Sequence, residues 1–237
     1  MKTILMDLDG TLLPMNQEEF INHYFGLIGK RFEPLGLEPK RLMECIWIGT
    51  KAMIENSGEK TNELVFWECF EKVMAIKRED WEELFNEFYD DQFNQVIKAT
   101  KPTPFADEVV KICKQKGYQV VLATNPIFPA IGTKNRIKWA GLDENDFELI
   151  TTYENSHSCK PNPAYFKEII DKLDLDPTEC LMVGNDAMED TIAKTLGISV
   201  YLVTDCLENA DKAKIEPDYK GSMEEFVEFA KKLPSIV

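Results

Sequence analysis

The chain has 237 residues, 44% of them hydrophobic, enough for one large domain or two smaller ones with a sizeable core. It carries 27 Lys and Arg against 42 Asp and Glu, a net charge of −15, and so lacks the basic surface that a nucleic-acid polyanion demands. No apolar run reaches transmembrane length, and the six scattered cysteines without a C-x-x-C pair read as reduced, mostly core thiols of a cytoplasmic protein.

The first apolar run, Ile4-Leu5-Met6, predicts a short buried strand. It starts so close to the N-terminus that no signal peptide is expected ahead of it. Asp7-Leu8-Asp9-Gly10-Thr11 follows. Side chains alternate across a strand, so Asp7 and Asp9 are expected on one face and Leu8 on the other. Gly10 then permits a sharp turn. Two carboxylates about 4 Å apart repel by roughly 4 kcal/mol at an effective dielectric near 20. Such a pair persists when a cation lies between them or when one carboxyl keeps its proton. The first arrangement suits a metal-assisted nucleophile and the second a general acid.

From 15 to 100 no strand is evident. Apolar residues such as Phe20, Tyr24, Leu27 and Ile28 recur at helical spacing, and four or five amphipathic helices are expected. A crossover between strands needs only about 30 residues, so this stretch reads as an inserted helical domain. Beyond Lys101-Pro102-Thr103-Pro104 the pattern alternates. Helices are expected over 104–117, 128–139, 163–173, 187–196 and 223–233, with strands over 118–123, 147–151, 180–183 and 198–203. The expected fold is α/β: a Rossmann-like three-layer core with a mostly parallel sheet (1–14 and 101–237) plus an all-helical cap domain (15–100).

Ligands of open parallel sheets bind beyond the carboxyl ends of the strands. Three strands here end in polar residues, at Asp7/Asp9, Thr124/Asn125 and Asn185/Asp186, and Lys160-Pro161-Asn162-Pro163 precedes a helix. Carboxylates, a hydroxyl, amide donors and one ammonium form a set suited to a metal and a phosphoryl group.

These stretches resemble, in order, the four motifs of the haloacid dehalogenase superfamily: Asp7-Leu8-Asp9-Gly10-Thr11, Thr124-Asn125, Lys160-Pro161-Asn162-Pro163, and the acidic Gly184-Asn185-Asp186-Ala187-Met188-Glu189-Asp190. The resemblance implies that Asp7 is a nucleophile toward phosphorus and Asp9 a general acid and base. It implies phosphoryl binding by Thr124, Asn125 and Lys160, and Mg²⁺ held by Asp7, the Asp9 backbone carbonyl and Asp186. Asn185 stands where the family commonly has Asp, so Asn185 and Asp190 are alternative or water-mediated ligands, and Glu189 a weaker one. Members that displace halide lack an acid at the position of Asp9, so the resemblance implies a phosphatase. A phosphomutase of a sugar phosphate and a non-catalytic phospholigand-binding protein are the alternatives. The partner expected is a small phosphorylated metabolite, without nucleic acid or membrane, for a monomer or weak homodimer.

Other residues are weighed individually. Lys51, after Gly49-Thr50, could read a second anionic group of the substrate, although an exposed helical Lys accounts for it as well. His157 reads as a solvated loop residue and His23 as a surface residue. Trp47, Trp67 and Trp81 read as core of the helical insert.

Overall fold

A computed structural model describes residues 1–236. Its centre is β1 (Thr3–Met6), whose Ile4, Leu5 and Met6 are fully buried. Burial of each such side chain contributes about 1.5–3 kcal/mol. β1 pairs in parallel with β2 (Gln119–Leu122) on one side and β4 (Cys180–Gly184) on the other. β3 (Leu149–Ile150) extends the β2 side, and β5 (Ser199–Val203) and β6 (Tyr219–Gly221) extend the β4 side. The order is β3-β2-β1-β4-β5-β6, with every pair parallel. The direction of winding reverses between β1 and β4, which is where ligands bind in sheets of this order.

Strand alternation sorts the core into two layers. Ile4, Met6, Val120, Leu122, Leu181 and Val183 pack with α5 (Pro104–Gln115) and α8 (Met223–Lys232). Leu5, Val121, Met182 and Val200 pack on the other face, against Tyr165, Phe166 and Ile169 of α7 (Pro163–Leu173). The three-layer α/β expectation holds.

Between β1 and α5 the chain forms α1 (Gln17–Phe32), α2 (Pro39–Ile54), α3 (Asn62–Met74) and α4 (Arg78–Asp90), then a 3-10 helix at Gln92–Ala99. Asn16 caps α1 by accepting from Glu19 N, and Thr61 caps α3 by accepting from Leu64 N. The two junctions of this segment lie side by side: Lys101 N donates to Pro14 O at 2.7 Å. Its interior is aromatic. Tyr24, Phe88, Tyr89 and Phe93 pack edge to face, and the Tyr24 and Tyr89 hydroxyls share a hydrogen bond of 2.9 Å. No helix among the described residues is long and apolar enough to cross a membrane.

Several local expectations need correction. β6 has only three residues, Tyr-Lys-Gly, too short for a pattern, and was not expected. The helix expected from 187 shrinks to a 3-10 helix at Thr191–Leu196. The Asp186 carboxylate accepts from Met188 N and Glu189 N, holding 186–190 in turns instead. The helix expected from 128 begins two residues later, as α6 (Ala130–Trp139), with Pro129 at its N-cap. β1 ends at Met6, so alternation does not align Asp7 with Asp9. Gly10 (φ +83°) turns the chain back, and Leu13 N donates to Leu8 O at 2.8 Å.

Gly184 ends β4 where a Cβ would lie 2.0 Å from Asp190 Oδ2. Gly184→Ala is therefore expected to lower stability by about 1–3 kcal/mol, read as a fall in the urea midpoint; an unchanged midpoint would show that the contact yields without cost.

Candidate active site

The first strand leads directly to the site. Asp7 N still donates to Val183 O at 2.9 Å, which holds the Asp7 backbone in register with β4. Its carboxylate is buried and held on both oxygens. Lys160 Nζ donates to Oδ1 at 3.0 Å, and the Thr11 hydroxyl lies 3.3 Å from Oδ2. Lys160 also donates to Asp190 Oδ1 at 2.7 Å. The Lys160 side chain is 1% exposed and lies 5.8 Å from the Tyr165 ring centroid. Burial disfavours the charged form, but the Asp190 and Asp7 carboxylates outweigh it and push the Lys160 ammonium well above the ordinary lysine value. Burial pushes the Asp7 and Asp190 carboxyls above the usual carboxylate range against the pull of Lys160, because one ammonium serves both.

β2 and β4 supply the neighbouring walls. Thr124 is buried, and its carbonyl accepts from the Tyr165 and Thr151 hydroxyls at 2.9 and 2.7 Å. Asn125 joins the Lys160 loop to the turn after β4: its Oδ1 accepts from Lys160 N at 3.2 Å, and its Nδ2 donates to Glu189 Oε2 at 3.0 Å. Burial pushes the Glu189 carboxyl up to about 8. Asn185 packs against Gly10, where a Cβ would meet its Nδ2 at 2.4 Å, and its Oδ1 lies 2.9 Å from the Thr11 hydroxyl. Asp190 Oδ2 accepts from Asp186 N at 2.9 Å, so Asp190 links Lys160 to the β4 loop. The Asp186 carboxylate also accepts from Asn209 Nδ2 at 2.6 Å.

Arg136 is a residue that the sequence reading missed. It is fully buried on α6 and donates to Asp9 Oδ2. Its guanidinium lies 4.3 Å from the Phe128 ring centroid, and its Nε donates to Gly132 O at 3.2 Å. Burial pushes the Asp9 carboxyl up, and Arg136 and Lys160 draw it back. Asp9 Oδ1 is buried without a hydrogen-bond partner. No pattern marks it in the sequence: α6 reads Ala-Ile-Gly-Thr-Lys-Asn-Arg-Ile-Lys-Trp, with no apolar stripe to set Arg136 apart from surface lysines.

These groups form the floor of a cavity of about 330 Å³ between the sheet ends and α1–α4. Asp7, Asp9, Thr124, Asn125, Asn185, Asp186, Glu189 and Asp190 all line it. Lys160 contacts it through Asp7 and Asp190. Lys51 does not line it: one residue beyond Thr50, which does, it is turned outward and pairs with Glu55 at 3.7 Å. Trp47 departs from the core reading; it is 47% exposed and lines the cavity, and Trp67 lines it while buried. His157 is half-buried and bonds Glu168 Oε1 at 2.8 Å, outside this cavity. Glu208, whose segment runs beside Asn185 and Asp186, lines the site and was not anticipated. Among the described residues no three His, Cys, Asp or Glu side chains converge as a ready-made metal cage.

A family model described as haloacid dehalogenase-like hydrolase matches residues 1–197, and the chain belongs to that family of hydrolases. Among similar proteins, Pyrophosphatase PpaX of Halalkalibacterium halodurans is 25% identical over 92% of this chain and 90% of its own. A phosphoglycolate phosphatase of Aquifex aeolicus is 26% identical over 85% and 84% respectively. In three dimensions, a HAD phosphatase from Thermococcus onnurineus matches over the whole of both chains with a TM-score of 0.63 at 21% identity, a likeness of fold.

Removing the ammonium would leave Asp7 and Asp190 buried without their shared cation. Lys160→Met is expected to cost about 3–5 kcal/mol in unfolding free energy; a loss below about 1 kcal/mol in urea melts would show that the two carboxylates do not depend on it.

Proposed function

We propose that this hydrolase is a Mg²⁺-dependent phosphatase that cleaves a small phosphate monoester through a phosphoryl group carried on Asp7. The observation that carries the reading is the pairing of Asp7, buried and steered by Lys160 and Thr11, with Asp9, whose Oδ1 is free. In the proposed reaction Asp7 attacks phosphorus and the ester oxygen leaves with a proton from Asp9. Arg136 occupies Oδ2 of Asp9, so the proton would ride on Oδ1. Asp9 then takes a proton from water, which attacks the phosphoryl group and restores the Asp7 carboxylate. Thr124 and backbone amides near Asn125 hold the phosphoryl oxygens as charge shifts toward them, while Lys160, bonded to Asp7 and Asp190 behind the cavity, offsets the negative charge around them.

The donor chemistry fits a small hard cation. Six carboxylates line the cavity, those of Asp7, Asp9, Asp186, Glu189, Asp190 and Glu208. Two buried cations, Lys160 and Arg136, lie against them. Mg²⁺ uses only one or two carboxylates and keeps several waters, so it needs no closed cage. Asp7, the Asp9 carbonyl and Asp186 would hold it, with Asn185 and Asp190 beside them. When bound, it would offset the repulsion between a carboxylate and a dianionic ester.

In this reading the segment 15–100 acts as a cap. Its two adjacent junctions would let it move as a unit, and closure would exclude water. The buried free thiols of Cys45, Cys113, Cys159 and Cys180 fit a reducing, cytoplasmic setting.

Asp7→Asn is expected to abolish phosphate release from a panel of monoesters while circular dichroism and the melting curve stay near those of the parent. Turnover above a thousandth of the parent would remove Asp7 as nucleophile. Asp186→Ala is expected to raise the Mg²⁺ concentration for half-maximal rate at least about tenfold; an unchanged requirement would remove Asp186 from the metal's partners.

A further inference from the structure

The cavity has two ends of opposite chemistry. Its floor is acidic and polar, as described above. Its outer walls are rings: Phe20, Tyr24 and Phe25 from α1, Trp47 from α2, Phe66 and Trp67 from α3, with Phe85 and Tyr89 from α4 closing the far side. Phe128 and Tyr153 complete the wall from the core side. Among the described residues lining it there is no Lys, Arg or His. Lys160 is committed to Asp7 and Asp190, and Arg136 to Asp9. A second anionic group on a substrate would therefore be buried among apolar faces and carboxylates with no counter-charge, which is unfavourable.

The polar side chains on these walls, Gln17, Thr50 and Asn86, are uncharged. Trp47, half-exposed and packed 5.6 Å from Phe25 between ring centroids, flanks the same space.

We infer that the substrate is a monophosphate ester whose alcohol part is an uncharged, flat aromatic or heteroaromatic group, and not a compound with a second anion. This rests on the phosphatase reading above. A cavity of about 330 Å³ lies at the small end of the range for ligand pockets and has room for a phosphoryl group and a ring. Ring-on-ring contact favours the aromatic group over an alkyl chain or a polyol. The same acidic and aromatic lining turns away two-anion compounds such as 2-phosphoglycolate and pyrophosphate.

The test compares kcat/KM of the full chain with Mg²⁺ for benzyl phosphate, ethyl phosphate, 2-phosphoglycolate and pyrophosphate. Benzyl and ethyl phosphate both release a primary alcohol, so the ring is the main difference. The expected result is benzyl phosphate at least a hundredfold above each of the others. Trp47→Ala, at an exposed position, is expected to lower kcat/KM for benzyl phosphate at least tenfold more than for ethyl phosphate, chiefly through KM. Equal or faster turnover of 2-phosphoglycolate or pyrophosphate would overturn the inference while leaving the phosphatase reading standing. No turnover of any of the four compounds would overturn both.

Discussion

A single buried ammonium holds the site together. Lys160 stands between Asp7 at the end of the first strand and Asp190 in the loop after the fourth. Burial disfavours the charged form of all three groups, and the opposite charge beside each draws it back. The three groups therefore fix one another, and with them two loops that are about 180 residues apart in the chain. Asn125 extends the constraint to the second strand by bonding the Lys160 backbone and Glu189. Two glycines make the approach possible, Gly10 beside Asn185 and Gly184 beside Asp190.

This arrangement leaves an excess of negative charge at the mouth of the sheet, and the helical segment does nothing to cancel it. Among the described residues, the side chains it offers the cavity are aromatic, aliphatic or neutral polar. The division of labour follows physically. A polar floor can polarise and transfer a phosphoryl group, while apolar walls exclude water and sort molecules by the group attached to it. Arg136 adds a second, separate clamp: it engages one oxygen of Asp9 and leaves the other buried without a hydrogen-bond partner.

Much of this was legible in the sequence because it is local. Short apolar runs ending in Asp7, Thr124 and Asn185 marked the strands and their polar ends, and helical spacing marked the segment before Thr100. Other features depend on tertiary context that a pattern does not carry. β6 is too short to leave a signature. The turns at 186–190 form because the Asp186 side chain competes with the helix for backbone amides. Lys51 and Trp47 lie four residues apart on one side of α2, and only tertiary packing decides that the cavity reaches Trp47 and not Lys51. Arg136 looks like any helical surface arginine until Asp9, Thr133 and Phe128 are seen around it.

In the proposed reaction Asp7 itself bonds to phosphorus. The most direct measurement quenches the enzyme during turnover, reduces any acyl phosphate with borohydride and maps the modified peptide by mass spectrometry. Conversion of the Asp7 carboxyl to an alcohol, dependent on substrate, is the predicted result. Full turnover with Asp7 unmodified, or modification at Asp9 or Asp190 in its place, would contradict the account.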